Sequence, residues 1–286
     1  MILYHYCSNQ AFRSIINNRE IWLSSLSLTN DPMEGKWLRK VFRNVCADEN
    51  LDESAAKRVT ELIGVLGDIF EGLGFALSER GDMLSQWRGY ANDASGMCVG
   101  FSKAYFEELG EENKAAKKTG FTLIQVKYDA EKQKTILMPI YKKVKHFIDK
   151  GAFRYPGSQM LLDPRPKEEF EAEQEKWKGE FRDLTYNLMF LFPDLFKLKN
   201  PAFSEESEWR LISYFIKQGD DECDFRTTPD RIIPYRVFDI PPKETGPISE
   251  VILGPKNITP VDVIELFLKK CGFPGVKVTR SEATYR

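Results

Sequence analysis

Two carboxylates two residues apart, Glu206 and Glu208, lead into Trp209-Arg210-Leu211-Ile212-Ser213-Tyr214-Phe215. That β-branched and aromatic run predicts a strand. Strand alternation puts both glutamates on one face, about 7 Å apart along the chain. Like charges at that distance repel unless they share a proton, hold a cation or meet positive charge developing on a substrate. Arg210 falls on the same face, so the competing reading is a solvated ladder in which the guanidinium neutralises both carboxylates.

The chain has two histidines, His5 and His146. A multi-histidine metal site is therefore excluded, and any histidine-based triad must use one of these two. His5 ends a predicted strand at residues 2–6. There it can bond a ribose hydroxyl or a phosphate, or fill a hydrogen-bonded place in a core. Trp87-Arg88-Gly89-Tyr90 offers groups that stack on flat rings, with Trp87 and Tyr90 on one helix face at i, i+3; core packing is the alternative. Asn30-Asp31-Pro32-Met33-Glu34 is a turn that can also present carboxylates to a ligand. Lys142, Lys143, Lys145, His146 and Lys150 make a basic stripe, either a solvated helix face or a nucleic-acid contact.

The elements that must position these groups follow from periodicity. Ser8 is expected to cap a helix that buries Phe12, Ile15 and Ile16, and residues 21–24 read as a second strand. Asp52 is expected to open a helix that Gly72 and Gly74 stop. Strands are expected at 75–78, 96–101, 121–128, 208–216, 232–238, 249–254 and 276–280. A helix runs from Ser102 to about Leu109, and a charged loop covers 111–118. Helical stretches at 135–150 and 167–197 are broken by Gly151, Pro156, Pro164 and Pro166. Thr259-Pro260 opens the last helix and Gly272 ends it. This order predicts an α+β fold with a mixed or antiparallel sheet, as one domain over 1–286 with a helical insertion or lid at 135–200. No glycine-rich phosphate motif supports a dinucleotide-binding fold.

The chain is 286 residues long, 42% hydrophobic and 29% charged, with a formal charge of −2. No global field draws it to nucleic acid or membrane, and no apolar run is long enough to span a bilayer. Five scattered cysteines without a Cys-x-x-Cys favour reduced thiols. The first residues lack a basic segment followed by an apolar core, so a cytoplasmic location is expected and membrane association is not.

Several motifs then fall in order: Leu3-Tyr4-His5-Tyr6, Asn30-Asp31-Pro32-x-Glu34, Phe75-x-Leu77-Ser78, Trp87-x-x-Tyr90-Ala91 and Gly96-x-Cys98-x-Gly100-Phe101. Glu206-x-Glu208-Trp209-Arg210, Val251-Ile252-Leu253-Gly254-Pro255 and Ser281-x-x-x-Tyr285-Arg286 complete the series. It resembles a bacterial and phage family named only as domain of unknown function 2971 (DUF2971), which implies no activity. The early histidine, middle aromatic segment and late glutamate also resemble the His–Tyr–Glu arrangement of ADP-ribosyltransferases.

That second resemblance implies a split β-core holding NAD, used as a substrate. His5 would bond the adenosine-side ribose, and Tyr6, Ser78 and Arg210 would join it on the NAD side. Trp87 or Tyr90 would stack on the nicotinamide; Trp22 also qualifies. Glu208 would stabilise the oxocarbenium-like transition state, and Glu206 would orient or deprotonate the acceptor. Cys7 departs from the pattern, standing where a Thr or Ser is expected. The implied protein is a toxin-like or phage-defence effector that modifies nucleic acid or protein and is held by an antitoxin partner. The alternatives are a non-catalytic module that binds a nucleotide or partner, and a metal-dependent nuclease using Asp31, Glu34, Glu206 and Glu208.

Overall fold

A computed structural model describes the chain apart from residues 30, 158–164, 218, 220–222, 245 and 286. Asn30, Pro164 and Arg286 of the sequence motifs therefore lie outside the described residues. In chain order the strands are β1 (Ile2–Cys7), β2 (Glu20–Ser25), β3 (Phe70–Ser78), β4 (Met97–Ser102), β5 (Thr122–Gln125), β6 (Glu208–Ile216), β7 (Asp224–Thr227), β8 (Ile232–Asp239), β9 (Ile248–Leu253) and β10 (Lys277–Arg280). The helices are α1 (Asn9–Asn18), α2 (Trp37–Asp48), α3 (Glu53–Ile69), α4 (Leu84–Tyr90), α5 (Lys103–Ala115), α6 (Ala130–Asp149), α7 (Lys167–Leu188) and α8 (Val261–Lys270). The chain divides into two compact units: residues 1–30, 72–126 and 202–286, and residues 31–71 and 127–201.

The first unit carries the sheet. Its strand order is β10-β9-β4-β1-β3-β2-β8-β7, with β6 on β3 and β5 on β6. β9 and β10 are parallel, and the other registered pairs are antiparallel. The expected mixed α+β class with an open, mostly antiparallel sheet is what the chain forms. β1 and β4 are in register from Ile2–Ser102 to Cys7–Met97. β1 and β3 meet more narrowly, with Tyr4 opposite Ser78. Alternation sorts the faces. Leu3 and Cys7 of β1, Leu73, Phe75 and Leu77 of β3, and Leu211 of β6 enter the main apolar core. Tyr6 faces the other way, into a smaller cluster with Trp87, Ala91, Ala94, Cys98 and Ile252.

Local signals set several boundaries. Ser8 caps α1 by accepting the Ala11 amide, and Phe12, Ile15 and Ile16 are its buried residues. Ser102 caps α5 in the same way through Tyr105. That helix continues to Ala115, through most of the stretch expected to be a charged loop, because lysines and glutamates propagate a started helix well. Asp52 caps α3 as expected. The glycine stop is corrected: α3 ends at Ile69 and passes directly into β3, so Gly72 and Gly74 lie inside a strand. A Cβ at Gly74 would lie 2.5 Å from the Leu26 side chain, so close packing, not helix termination, requires that glycine. β7 was not expected from the sequence; it is four residues long and forms an edge of the sheet.

The second unit is helical and contains α2, α3, α6 and α7. The helical stretch expected at 135–200 falls within it, together with residues 31–71. Apolar stripes at helical spacing (Leu38, Val41, Phe42 and Val45 on α2; Val59, Ile63 and Leu66 on α3) supply the buried surface. Gln133 is buried on α6; it accepts the Trp37 indole N–H and donates to the Lys127 and Lys199 carbonyls. Lys145 pairs with Asp149 one turn on, and Lys143 lies over the Phe190 ring. The basic stripe is thus partly tied up by its own surroundings. No helix among the described residues is long and apolar enough to cross a membrane.

Candidate active site

β6 begins at Glu208, so Glu206 is not on the strand. It closes a 3-10 turn at Pro201–Glu206, and Ser207 between the two glutamates has φ +45°. Strand alternation therefore does not govern Glu206, which corrects the expected geometry of the pair. The end of β3 holds the reversal. The Ser78 hydroxyl donates to the Glu206 carbonyl at 2.8 Å, and the Glu79 amide donates to the Ser207 carbonyl at 3.1 Å. A non-glycine residue in the left-handed region costs about 1–2 kcal/mol and tends to occur where function needs it. Ser207→Gly is expected to keep its unfolding free energy from urea denaturation within about 0.5 kcal/mol of the parent, the relieved strain offsetting the added chain freedom. Ser207→Val should lose a further 1–2 kcal/mol, roughly. Equal midpoints for the two variants would show that Ser207 is not strained in solution.

Glu208 and Arg210 do share a face, but not a solvated one. They are 7% and 1% exposed. The Arg210 Nε donates to Glu208 Oε1 at 2.6 Å and Nη2 to Oε2 at 2.9 Å, a bidentate charge-assisted pair. The solvated-ladder alternative is thereby overturned: β6 lies inside the sheet between β3 and β5, and Leu211 and Ile212 beside the pair are buried too.

Tyr90, the last residue of α4, donates its hydroxyl to Glu206 Oε1 at 2.9 Å. The residue is 46% exposed. Loss of solvent raises the phenol pKa first, the Glu206 carboxylate raises it further and Glu208 adds to both; Arg210 offsets part. The hydroxyl therefore stays protonated and acts as a donor. Glu205 nearby accepts the Ser85 hydroxyl at 2.6 Å, a second tie between α4 and the 3-10 turn.

Trp87 is 0% exposed. Its indole N–H donates to Asp82 Oδ1 at 2.6 Å, and its ring meets Tyr6 edge-on at 4.9 Å. A ring so enclosed offers no face to a ligand, so the stacking expected of Trp87 gives way to a packing role. Trp22 is 37% exposed and already stacked on Tyr235 at 4.4 Å. Of the three aromatic candidates, Tyr90 is the one bonded to a carboxylate of the pair, Glu206. Tyr6 is buried; its hydroxyl donates to the Arg80 carbonyl and accepts the Met83 amide. Ser78 is buried as well and accepts the Arg80 amide.

Glu206, Glu208, Arg210, Tyr90, Ser78, Trp87 and Tyr6 thus form one connected group. His5 is not brought into it. Alternation places its side chain on the Leu3 and Cys7 face of β1, opposite Tyr6. There it stacks on Phe75 at 4.0 Å and its Nδ1 donates to the Ala76 carbonyl at 2.8 Å. Burial lowers its pKa to about 4, against a smaller opposing effect of that bond.

Asp82 is the residue that the sequence did not single out. It accepts from Trp87, from the Ser281 hydroxyl at 2.5 Å and from the Glu282 amide at 2.7 Å. Burial pushes its carboxyl up, but these bonds outweigh that and hold it below the usual carboxylate range. The spacing between Asp82 and Ser281 leaves no local signal to find it by. Among the described residues no group of three His, Cys, Asp or Glu side chains is placed to hold a metal ion. Asp31 and Glu34 belong to the helical unit and Glu206 and Glu208 to the sheet unit.

No curated protein and no solved structure matches the chain. Residues 86–211, a span that includes Trp87, Tyr90, Glu206, Glu208 and Arg210, match the family model described as a protein of unknown function, DUF2971, and over that span the chain resembles that family.

Proposed function

We propose that the protein is an NAD-dependent ADP-ribosyltransferase with its reacting centre at Tyr90, Glu206 and Glu208. The observation that carries this is the bond between the Tyr90 hydroxyl and Glu206, two residues from the buried carboxylate of Glu208 at the start of β6. Fixed negative charge beside an exposed aromatic ring suits a ribosyl cation whose leaving group is a flat, neutral heterocycle. In this reading the bond between C1′ and the nicotinamide nitrogen breaks, and the electron pair leaves with nicotinamide. Glu208, with Arg210 behind it, supplies the field. Glu206, half-buried and closer to solvent, takes the proton of the acceptor as its new bond to C1′ forms. The sheet is consistent with a split core. β1 and β3 meet at Tyr4 and Ser78, and the imidazole of His5 reaches the Ala76 carbonyl beside that junction. His5 has no contact with the carboxylates in this scheme.

A specific observation favours a second reading, a binding module without turnover: both Glu208 oxygens are engaged by Arg210. Incubation with labelled NAD and RNA, DNA or lysate protein separates the two. The transferase reading expects nicotinamide release and transfer of label, lost in Glu206→Gln. If wild type releases no nicotinamide and labels none of these acceptors, that reading is wrong. The metal-nuclease alternative has no assembled carboxylate set to support it among the described residues.

A further inference from the structure

The segment that carries Tyr90 is poorly supported by itself. α4 has seven residues and no side-chain bond at its N-terminus, well short of the length at which a helix is stable alone. It is followed by Asn92, Asp93 and Ala94, all at positive φ (50°, 50° and 68°), a costly run for non-glycine residues. Something outside must hold this stretch in place.

The Ser281 and Tyr285 motif, which the functional site did not use, meets it at both ends. At the start, Asp82 accepts the Ser281 hydroxyl and the Glu282 amide, and Ser281 in turn accepts the Ala283 amide. At the far end, the Tyr285 hydroxyl donates to Asp93 Oδ1 at 2.8 Å. Lys256 bonds the other Asp93 oxygen at 2.8 Å and lies 4.0 Å over the Tyr285 ring; Arg88 of α4 lies 5.5 Å from it. Ala283 and Tyr285 also pack on the cluster around Trp87. Behind the left-handed run, Gly254 comes so close that a Cβ would lie 2.4 Å from the Ala94 carbonyl.

We propose that residues 281–285 are a strap that sets α4 in register with the 3-10 turn, so that Tyr90 meets Glu206; Asp82, Asp93, Ser281 and Tyr285 are positioning residues. The strap is a geometric inference, and its effect on turnover rests on the transferase reading above. Hydrogen exchange by mass spectrometry over residues 83–95 tests it directly in Ser281→Ala, Ser281→Thr and Tyr285→Phe, with labelled-NAD turnover measured on the same samples.

Ser281→Ala should speed exchange in 83–95 by about ten-fold, as loss of a bond to a charged acceptor implies. Exchange in β4 and β9 should stay unchanged, and Ser281→Thr should restore protection. Tyr285→Phe should loosen the Asp93 end alone, and it keeps the test open if Ser281→Ala fails to fold. Turnover should fall in kcat with Ser281→Ala and return with Ser281→Thr. Unchanged exchange over 83–95 in both Ser281→Ala and Tyr285→Phe would overturn the strap. If wild type turns over no NAD while exchange responds as described, the strap stands and the transferase reading fails. If turnover is present and neither exchange nor kcat moves, the strap fails and the transferase reading stands.

Discussion

Glu208→Gln is expected to cost both activity and stability, and the two losses have one origin. In the native fold the Arg210 guanidinium is almost wholly buried and is met bidentately by Glu208. The amide removes the formal charge and one of the two oxygen acceptors. The guanidinium loses its bidentate carboxylate in a place water barely reaches, at a cost of about 1.5–3 kcal/mol for each charge-assisted bond lost. The urea midpoint of Glu208→Gln should fall accordingly, and nicotinamide release should be lost with it. Glu206→Gln separates the effects. Glu206 is half-buried and ends a turn, so its amide should fold near normally while turnover drops. The double variant Glu208→Leu/Arg210→Met gives a further check: its stability loss should fall short of the sum of the two single losses, with no activity recovered. Stability losses that simply add in the double variant would mean that the pair is not coupled.

Stability is also expected to fall between pH 6.5 and 4 because of His5. Its folded-state pKa is lowered to about 4 by burial, from an ordinary value of 6.5. The sign follows from proton counting. Between these two values the unfolded chain binds a proton at this residue and the folded chain does not, so lowering the pH favours unfolding. The contribution is fully present above pH 6.5, is lost as the pH falls, and changes no further below about 4. Between pH 7.5 and 5 it amounts to about 2 kcal/mol. The comparison of wild type with His5→Gln isolates it from the carboxylates, which titrate in both. Wild type should lose that much more stability over this interval. Parallel pH profiles for the two proteins would show that the imidazole is not desolvated in the folded state. A neutral ring with Nδ1 committed to Ala76 keeps Nε2 as an acceptor at neutral pH.

Most of the secondary structure was legible in the sequence because it is set locally. Helical stripes, the caps at Ser8, Asp52 and Ser102, and the β-branched runs of β6 and β9 act within a few residues of chain. Two groups that the sequence singled out, the carboxylates at 206 and 208 and the aromatic segment at 87–90, lie in a span that resembles DUF2971 and meet through the bond between Tyr90 and Glu206. It misjudged their placement. Period-two alternation assumes that a strand continues, and the left-handed Ser207 breaks it one residue before Glu208. Nothing in Trp87-Arg88-Gly89-Tyr90 distinguishes the enclosed ring from the exposed one. That was settled by Tyr6, which lies on β1 and meets Trp87 only in the folded chain.

His5 shows the same division. Its place on β1 was evident from sequence, but which side of β1 faces the large core depends on its pairing with β4 and β3. Asp82 and Ser281 are 199 residues apart, and no periodicity or local propensity relates them. The sequence by itself determined most of the elements, the class of fold and the residues with chemistry to offer. Tertiary structure decided which of those residues meet, because burial and long-range hydrogen bonding are properties of pairs that the chain brings together only on folding.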